Sequence, residues 1–307
     1  MQGTVDGFSY GLVTPVAAFL MACLGGALGL RCTTRSLRHR DSFKAGWLAL
    51  GATSIGTGIW TMHFIAMMGF SVRQAPVNYD RPITFASLGV AVLMVGIGIF
   101  IVGYRGATAL TLVTGGTITG LGVATMHYLG MAGMRLQGRI EYDTVTVALS
   151  VVIAVVAATA ALWAAVSVHG FLASLGASLV MGVAVSGMHY TAMAAVSVQL
   201  HGTQPHAGTG DTATSLLLPM LIGPAVFLIL AAVVVMFDPL LVMGDPDWQR
   251  PAARTPHRPG VPAPRHVPSY GEPANWTSRP AGRTAGRAAG RAARRSVPRG
   301  GHRSQDW

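Results

Sequence analysis

Two stretches of the chain, "PITFASLGVAVLMVGIGIFIVG" at 82–103 and "TVTVALSVVIAVVAATAALWAAV" at 144–166, carry no ionised side chain. An apolar run of about 20 residues is long enough to cross the hydrocarbon core of a bilayer as a helix. In lipid the backbone must satisfy its own polar groups, so unbroken runs of this kind are helical. Comparable runs stand near 8–30, 45–70, 82–103, 109–134, 144–166, 171–200 and 216–237. The sixth is longer than a bilayer needs and is expected to overshoot at its outer end. The fold class this predicts is an all-α integral membrane protein with seven transmembrane helices. Only 11% of the residues are charged, against about a quarter in soluble domains.

Charge sets the expected orientation. The segment "RCTTRSLRHRDSFK" at 31–44 holds Arg31, Arg35, Arg38, Arg40 and Lys44, and the tail after Phe237 holds twelve arginines. Basic loops stay in the cytoplasm. A multi-pass protein of the cell membrane with its N-terminus outside and its C-terminus inside satisfies both segments. The start, "MQGTVDGF", lacks the basic n-region of a cleaved signal peptide, so the first span is expected to remain as an anchor. The seven spans form a membrane domain over 8–237. Residues 238–307 contain eleven prolines, eight glycines and those twelve arginines. Such a composition cannot bury a core, and the tail is expected to be disordered. Its basic charge suits anionic lipid headgroups or an unidentified acidic cytoplasmic partner. No motif for specific nucleic-acid binding accompanies it.

Inside the uncharged runs one pattern recurs three times: "MHFIAMMGF" from Met62, "MHYLGMAGM" from Met126 and "MHYTAMAAV" from Met188. His63, His127 and His189 are thus spaced at nearly one interval, the mark of an internal repeat. Each unit is a pair of spans, a plain apolar helix followed by one bearing the motif near its outer end. Three parallel two-helix repeats plus a seventh span follow, with the motif helices gathered about an axis along the membrane normal. Residues four apart share a helix face. His63 with Met67, His127 with Met131 and His189 with Met193 therefore point together. Met62, Met126 and Met188 flank one side, and Phe64, Tyr128 and Tyr190 the other. Ala66, Gly130 and Ala192 leave room for the helices to approach closely.

Methionine within a span is ordinarily packing. Ionisable residues there are rare and mark functional sites. Three histidines at one depth, each followed by methionine at one offset, point to a metal centre in the outer leaflet. Imidazole with thioether suits copper, above all Cu(I). Zinc would favour thiolate or carboxylate ligands as well, and the spans have no acidic residue. Haem, held by two histidines or a His/Met pair, is the less economical cofactor because it leaves a third equivalent position unused. The aromatic residues following the histidines would sit behind the ligands, orienting the imidazoles or hydrogen-bonding to what binds. Cys23 and Cys32 are expected to be free thiols, Cys23 too deep to join the site. His201 and His206 read as loop residues, His169 as interfacial, and Pro219 and Pro224 as bends in the seventh span. No Ser/His/Asp set, phosphate loop or pair of carboxylates is present, and no enzymatic activity is expected.

"MHFIAM", "MHYLGM" and "MHYTAM" over paired spans resemble the bacterial MHYT domain, along roughly residues 8 to 237. The resemblance implies an integral membrane sensor whose copper, held by the matching methionines and histidines, responds to oxygen, carbon monoxide or nitric oxide. Phe64 departs from the family pattern, where the second and third copies have tyrosine. Many family members continue into cyclic-di-GMP enzymes or DNA-binding domains; the tail at 238–307 resembles neither. That difference keeps a second function open, a copper-handling protein that stores, delivers or transports the ion.

Overall fold

A computed structural model describes residues 5–38, 43–72, 77–136, 138–168, 170–200 and 213–238. They belong to one structural unit, Met1–Pro251; the second, Ala252–Trp307, lies outside the described residues. So do the expectations made for the tail beyond Asp238, for His169, and for the loop carrying His201 and His206.

The repeat read from the motifs is a closed hairpin. In the first, β1 (Val5–Asp6), α1 (Val13–Arg38), α2 (Lys44–Met68) and β2 (Ser71–Val72) follow in order. The second has β3 (Asn78–Tyr79), α3 (Arg81–Arg105), α4 (Ala109–Ala132) and β4 (Met134–Arg135). The third has β5 (Gly138–Tyr142), α5 (Thr144–Ser167), α6 (Phe171–Ala194) and β6 (Val196–Leu200), and α7 (Ala213–Met236) follows. The two strands of each hairpin pair antiparallel across its mouth, with Val5 opposite Val72, Asn78 opposite Arg135 and Gly138 opposite Leu200. The expected sixth span, 171–200, ran through β6, and the fourth, 109–134, reached the first residue of β4. Each motif helix instead stops at Met68, Ala132 or Ala194, and the chain turns into a ladder that satisfies its backbone where the helix no longer can.

The ends of the hairpins repeat in detail. The Asp80 and Asp143 N–H groups donate to the carbonyls of Gly133 and Ala195 at 2.8 and 2.9 Å, and Ser9 N–H donates to Gly69 O at 3.0 Å. Asp80 and Asp143 also cap α3 and α5, accepting from the N–H groups of Ile83 and Thr146. A carboxylate here satisfies an orphan N–H and complements the helix dipole.

Consecutive helices pack side by side, and α6 returns to α1, closing six helices into a ring; α7 packs outside it on α1 and α2. Among the described residues, six of the seven helices are long and apolar enough to span a bilayer. α2 is as long but less apolar, because protein rather than lipid surrounds it. Ser54, Thr57, Thr61 and His63 are all buried on it. α1 and α2 touch backbone to backbone: a Cβ built on Gly58 would lie 2.7 Å from Gly25 Cα. α5 shows the opposite pattern. Val145, Leu149, Val152 and Val156 face outward, while Ser150, Ala154, Ala158 and Leu162 face in.

The first span lies later than expected: α1 begins at Val13, and its helix continues through Arg31 and Arg35 to Arg38, which the sequence places in a loop. Polar residues remain helical there because protein groups receive them. Thr34 Oγ1 donates to Ala165 O, Ser36 Oγ donates to Lys44 O, and Arg35 forms a buried ion pair with Asp238 at 3.1 Å. Pro219 and Pro224 lie within α7. Cys23 and Cys32 are both free and buried.

Candidate metal centre

His63, His127 and His189 each stand five residues before the end of their helix, at Met68, Ala132 and Ala194. At about 1.5 Å per residue they share one depth, roughly 7–8 Å in from the helix ends. They meet on the axis of the ring. His63 Nδ1 lies 3.1 Å from Nδ1 of His189 and 3.1 Å from Nδ1 of His127, and the remaining side is 3.3 Å. All three residues are buried. Among the described residues they form the one cluster of three or more His, Cys, Asp or Glu side chains close enough to share a metal ion.

The arrangement has a chemical signature. Each neutral imidazole offers one donor nitrogen and one acceptor nitrogen. Nε2 of His63 and of His127 is buried without a hydrogen-bond partner. The three Nδ1 atoms instead face one another across a small triangle. Tetrahedral bonds of about 2.0–2.1 Å to a metal would hold three ligand nitrogens about 3.3 Å apart. The triangle has that size, with a fourth direction left along the axis.

Gly130 makes room for it. A Cβ at that position would lie 2.7 Å from His63 Nε2. The other two small positions, Ala66 and Ala192, are also buried.

Met62, Met126 and Met188 are fully buried, as are Met67 and Met131. All five belong to the same core cluster, and Met193 packs against it half-buried. The aromatic positions differ from one another. Phe64 is sealed in, tilted against Trp60 with ring centroids 4.7 Å apart. The Tyr128 hydroxyl turns to Ser150 Oγ on α5, 2.7 Å away. The Tyr190 hydroxyl is buried and unpartnered, and its ring stacks on Phe8 at 5.7 Å. Neither tyrosine hydroxyl therefore hydrogen-bonds to a histidine. Sequence reasoning missed Ser150, although a serine inside an otherwise apolar run was a signal. It missed Phe8 because nothing in the motif points to the N-terminal segment.

One side of the centre borders a cleft, although the histidines themselves are buried. A cleft of about 250 Å³ is lined by Phe8, Met67, Phe70, His189, Tyr190 and Met193. It leads from the mouths of the first and third hairpins to the edge of the triangle. Cys23 lies elsewhere, against Gly182 of α6, two turns deeper than His189.

Ring, depth and triangle together define a multi-pass helical membrane protein built around a buried three-histidine centre. Residues 56–115 and 120–178 match the family described as "Bacterial signalling protein N terminal repeat", the MHYT repeat. The chain carries this MHYT repeat twice. Each matched segment begins in a motif helix and ends in a later helix, so the sequence repeat is offset from the structural hairpin. The chain is 37% identical over 207 residues to the Pseudomonas aeruginosa "Bifunctional diguanylate cyclase/cyclic di-GMP phosphodiesterase MucR", covering 66% of this chain and 30% of that protein. It is 35% identical to the "Cyclic di-GMP phosphodiesterase NbdA" of the same organism, over 66% of this chain and 27% of that one. The "Signaling protein YkoW" of Bacillus subtilis is 30% identical, over 59% of this chain and 23% of that protein. The chain thus spans less than a third of the length of these relatives. No solved structure matches it. A membrane domain of the signalling class is the common element.

Proposed function

We propose that Nδ1 of His63, His127 and His189 binds one copper ion and that the domain senses a diatomic gas (oxygen, carbon monoxide or nitric oxide) or the redox state. The observation that carries this reading is the triangle of buried Nδ1 atoms with sides of 3.1–3.3 Å. Bound copper supplies a redox couple and an open coordination position. The protein supplies the rest: three nitrogens fixed on three helices, burial that excludes water, and thioethers one helical turn outward at Met67, Met131 and Met193. Met62, Met126 and Met188 pack beside them, and Phe64, Tyr128 and Tyr190 form the outer wall. Haem fits poorly, because bis-histidine ligation places a flat macrocycle between two nitrogens and this triangle has no slot for one.

Orientation follows from charge. Among the described residues Arg81, Arg135 and Arg139 lie at the motif end of the bundle, beside Asp6, Asp80, Glu141 and Asp143, whereas Arg31, Arg35, Arg38, Lys44 and Arg105 lie at the other, so Lys and Arg are in excess there. The basic end faces the cytoplasm in this reading, and the centre lies in the outer half of the membrane. Arg35 paired with Asp238 ties the end of α7 to α1 at the side from which a signal would leave.

Elemental analysis and absorption spectroscopy of the detergent-purified full chain test the proposal. One copper per chain is expected. Each of His63→Ala, His127→Ala and His189→Ala should lower copper content about tenfold or more while the protein still inserts. Met67→Leu, Met131→Leu and Met193→Leu should weaken Cu(I) more than Cu(II), because a thioether favours the softer ion. Met220→Leu, outside the motifs, is the control. Full copper in all three histidine variants would overturn the centre.

The open cleft favours a second reading, a protein that stores, delivers or transports copper. Met67, Met193 and His189 on one cleft form a path by which an ion would come and go. Rapid transfer of copper to an external Cu(I) chelator, halted by Met193→Leu, would select this reading over sensing.

A further inference from the structure

Below the histidines the three motif helices repeat a second feature. One turn inward on the same face stand Ile59, Val123 and Val185; two turns inward stand Ile55, Thr119 and Met181. At about 1.5 Å per residue these layers lie about 6 and 12 Å beneath the triangle. All six residues line one cavity of about 50 Å³ on the axis of the ring. A single water needs only about 10–15 Å³ of such space.

The cavity exists because α5 turns alanines inward. Ala154, Ala157, Ala158 and Ala161 form its far wall. Its polar atoms are few. Thr33 and Thr119 hydroxyls on its wall are buried and lack partners. A buried water needs two to four polar partners, and two hydroxyls on different helices offer too little to hold one. The cavity also has a side facing the bilayer. Ala157 and Ala161 of α5 and Met181 and Val185 of α6 are only half-buried, so along the seam between α5 and α6 the cavity's own lining reaches the outer surface of the ring.

We propose that this axial cavity is a dry holding site for an apolar diatomic molecule, which enters from the hydrocarbon core between α5 and α6 and reaches the histidines from beneath. Apolar gases dissolve better in hydrocarbon than in water, so the membrane itself is the richer source. The outer cleft is then left to the metal ion. This inference rests on the gas-sensing reading and adds to it the route and the waiting site.

Xenon tests the cavity without any metal. In nanodiscs, ¹²⁹Xe NMR should show binding to the full chain, about tenfold weaker in Ala158→Leu and stronger in Ile59→Ala. Ala161→Val is the gentler filling variant should Ala158→Leu fail to fold. Flash photolysis of carbon monoxide from the copper-loaded protein tests the route. Recombination should slow about tenfold in Ala158→Leu and Ala161→Val at unchanged copper content, and stay within twofold in Phe8→Ala at the outer cleft. Failure of xenon to bind the unaltered chain overturns the dry cavity. Unchanged recombination where xenon is excluded overturns the route while leaving the gas reading in place. A copper-loaded protein that takes up no carbon monoxide overturns the gas reading, and the route falls with it.

Discussion

α2 and α6 carry the same motif and contribute equivalent nitrogens to one triangle, yet they live in different surroundings. α2 meets α1, α3 and α7, and its polar Ser54, Thr57 and Thr61 are buried with His63. α6 shows Leu172, Leu175, Leu179, Val180 and Val183 outward. Phe64 is sealed behind Trp60, whereas Tyr190 lines a cleft beneath Phe8. Threefold repetition therefore fixes the ligands but not the frame. α7 breaks the symmetry by covering the first repeat, and the third is left as the accessible side.

The sharpest test sets the two aromatic positions against each other. Phe64→Ala should cost about 3–5 kcal/mol, the range for emptying a packed aromatic position. Tyr190→Ala should cost about 1 kcal/mol, an ordinary single-site value. Thermal unfolding in detergent checks the pair, and equal losses would mean that the first repeat is no better buried than the third. Next in size is the approach of α4 to His63. Gly130→Ala should displace the imidazole and weaken copper binding about tenfold, or about 1.4 kcal/mol. Gly187→Ala on α6, where a new Cβ meets nothing within 4 Å, should leave affinity unchanged. Copper titration against a competing chelator reads both.

A smaller contrast separates the two phenols. Tyr128→Phe removes a hydrogen bond to Ser150 and should lose about 1 kcal/mol of stability. Tyr190→Phe removes a hydroxyl that has no partner in the fold and should be neutral or slightly stabilising. The reverse order would show that Tyr190 is held by a polar group of its own.

The smallest effect is expected at the second hairpin's mouth, where Arg135 lies 3.0 Å from Asp80. The Arg135 guanidinium, and after it the Ile83 N–H, hold the Asp80 carboxyl below its ordinary value of 3.8. A depressed carboxylate stabilises the fold above its unfolded value, and that contribution is lost as pH falls through the folded one. Both groups are solvated, so the contribution is slight. Asp80→Asn should therefore be marginally less stable than the unaltered protein at pH 6, with the difference shrinking as acidification protonates the Asp80 carboxyl. A difference that grows on acidification would contradict the sign.

Spans, repeat and histidine depth were legible in the sequence because each rests on a short-range rule. Hydropathy marks length, and one residue pattern at one spacing marks equivalent positions. The hairpin ladders were not legible. Pairs such as Val5–Asp6 with Ser71–Val72 are too short to show alternation, and their partner lies beyond two helices. The helical end of α1 was hidden for a related reason, since "RCTTRSLR" reads as loop until Ala165, Lys44 and Asp238 are seen to receive its polar groups.

By itself the sequence determined that the chain crosses a membrane repeatedly and carries three equivalent histidines at one depth, because solvation in lipid and helical periodicity act locally along the chain. Only the tertiary structure decided that their Nδ1 atoms converge at 3.1–3.3 Å, that Tyr128 turns to Ser150, and that a cavity lies beneath the triangle. Each of these depends on how far apart the helix axes stand and how they are rotated. Those distances are set by glycine and alanine contacts between helices distant in sequence.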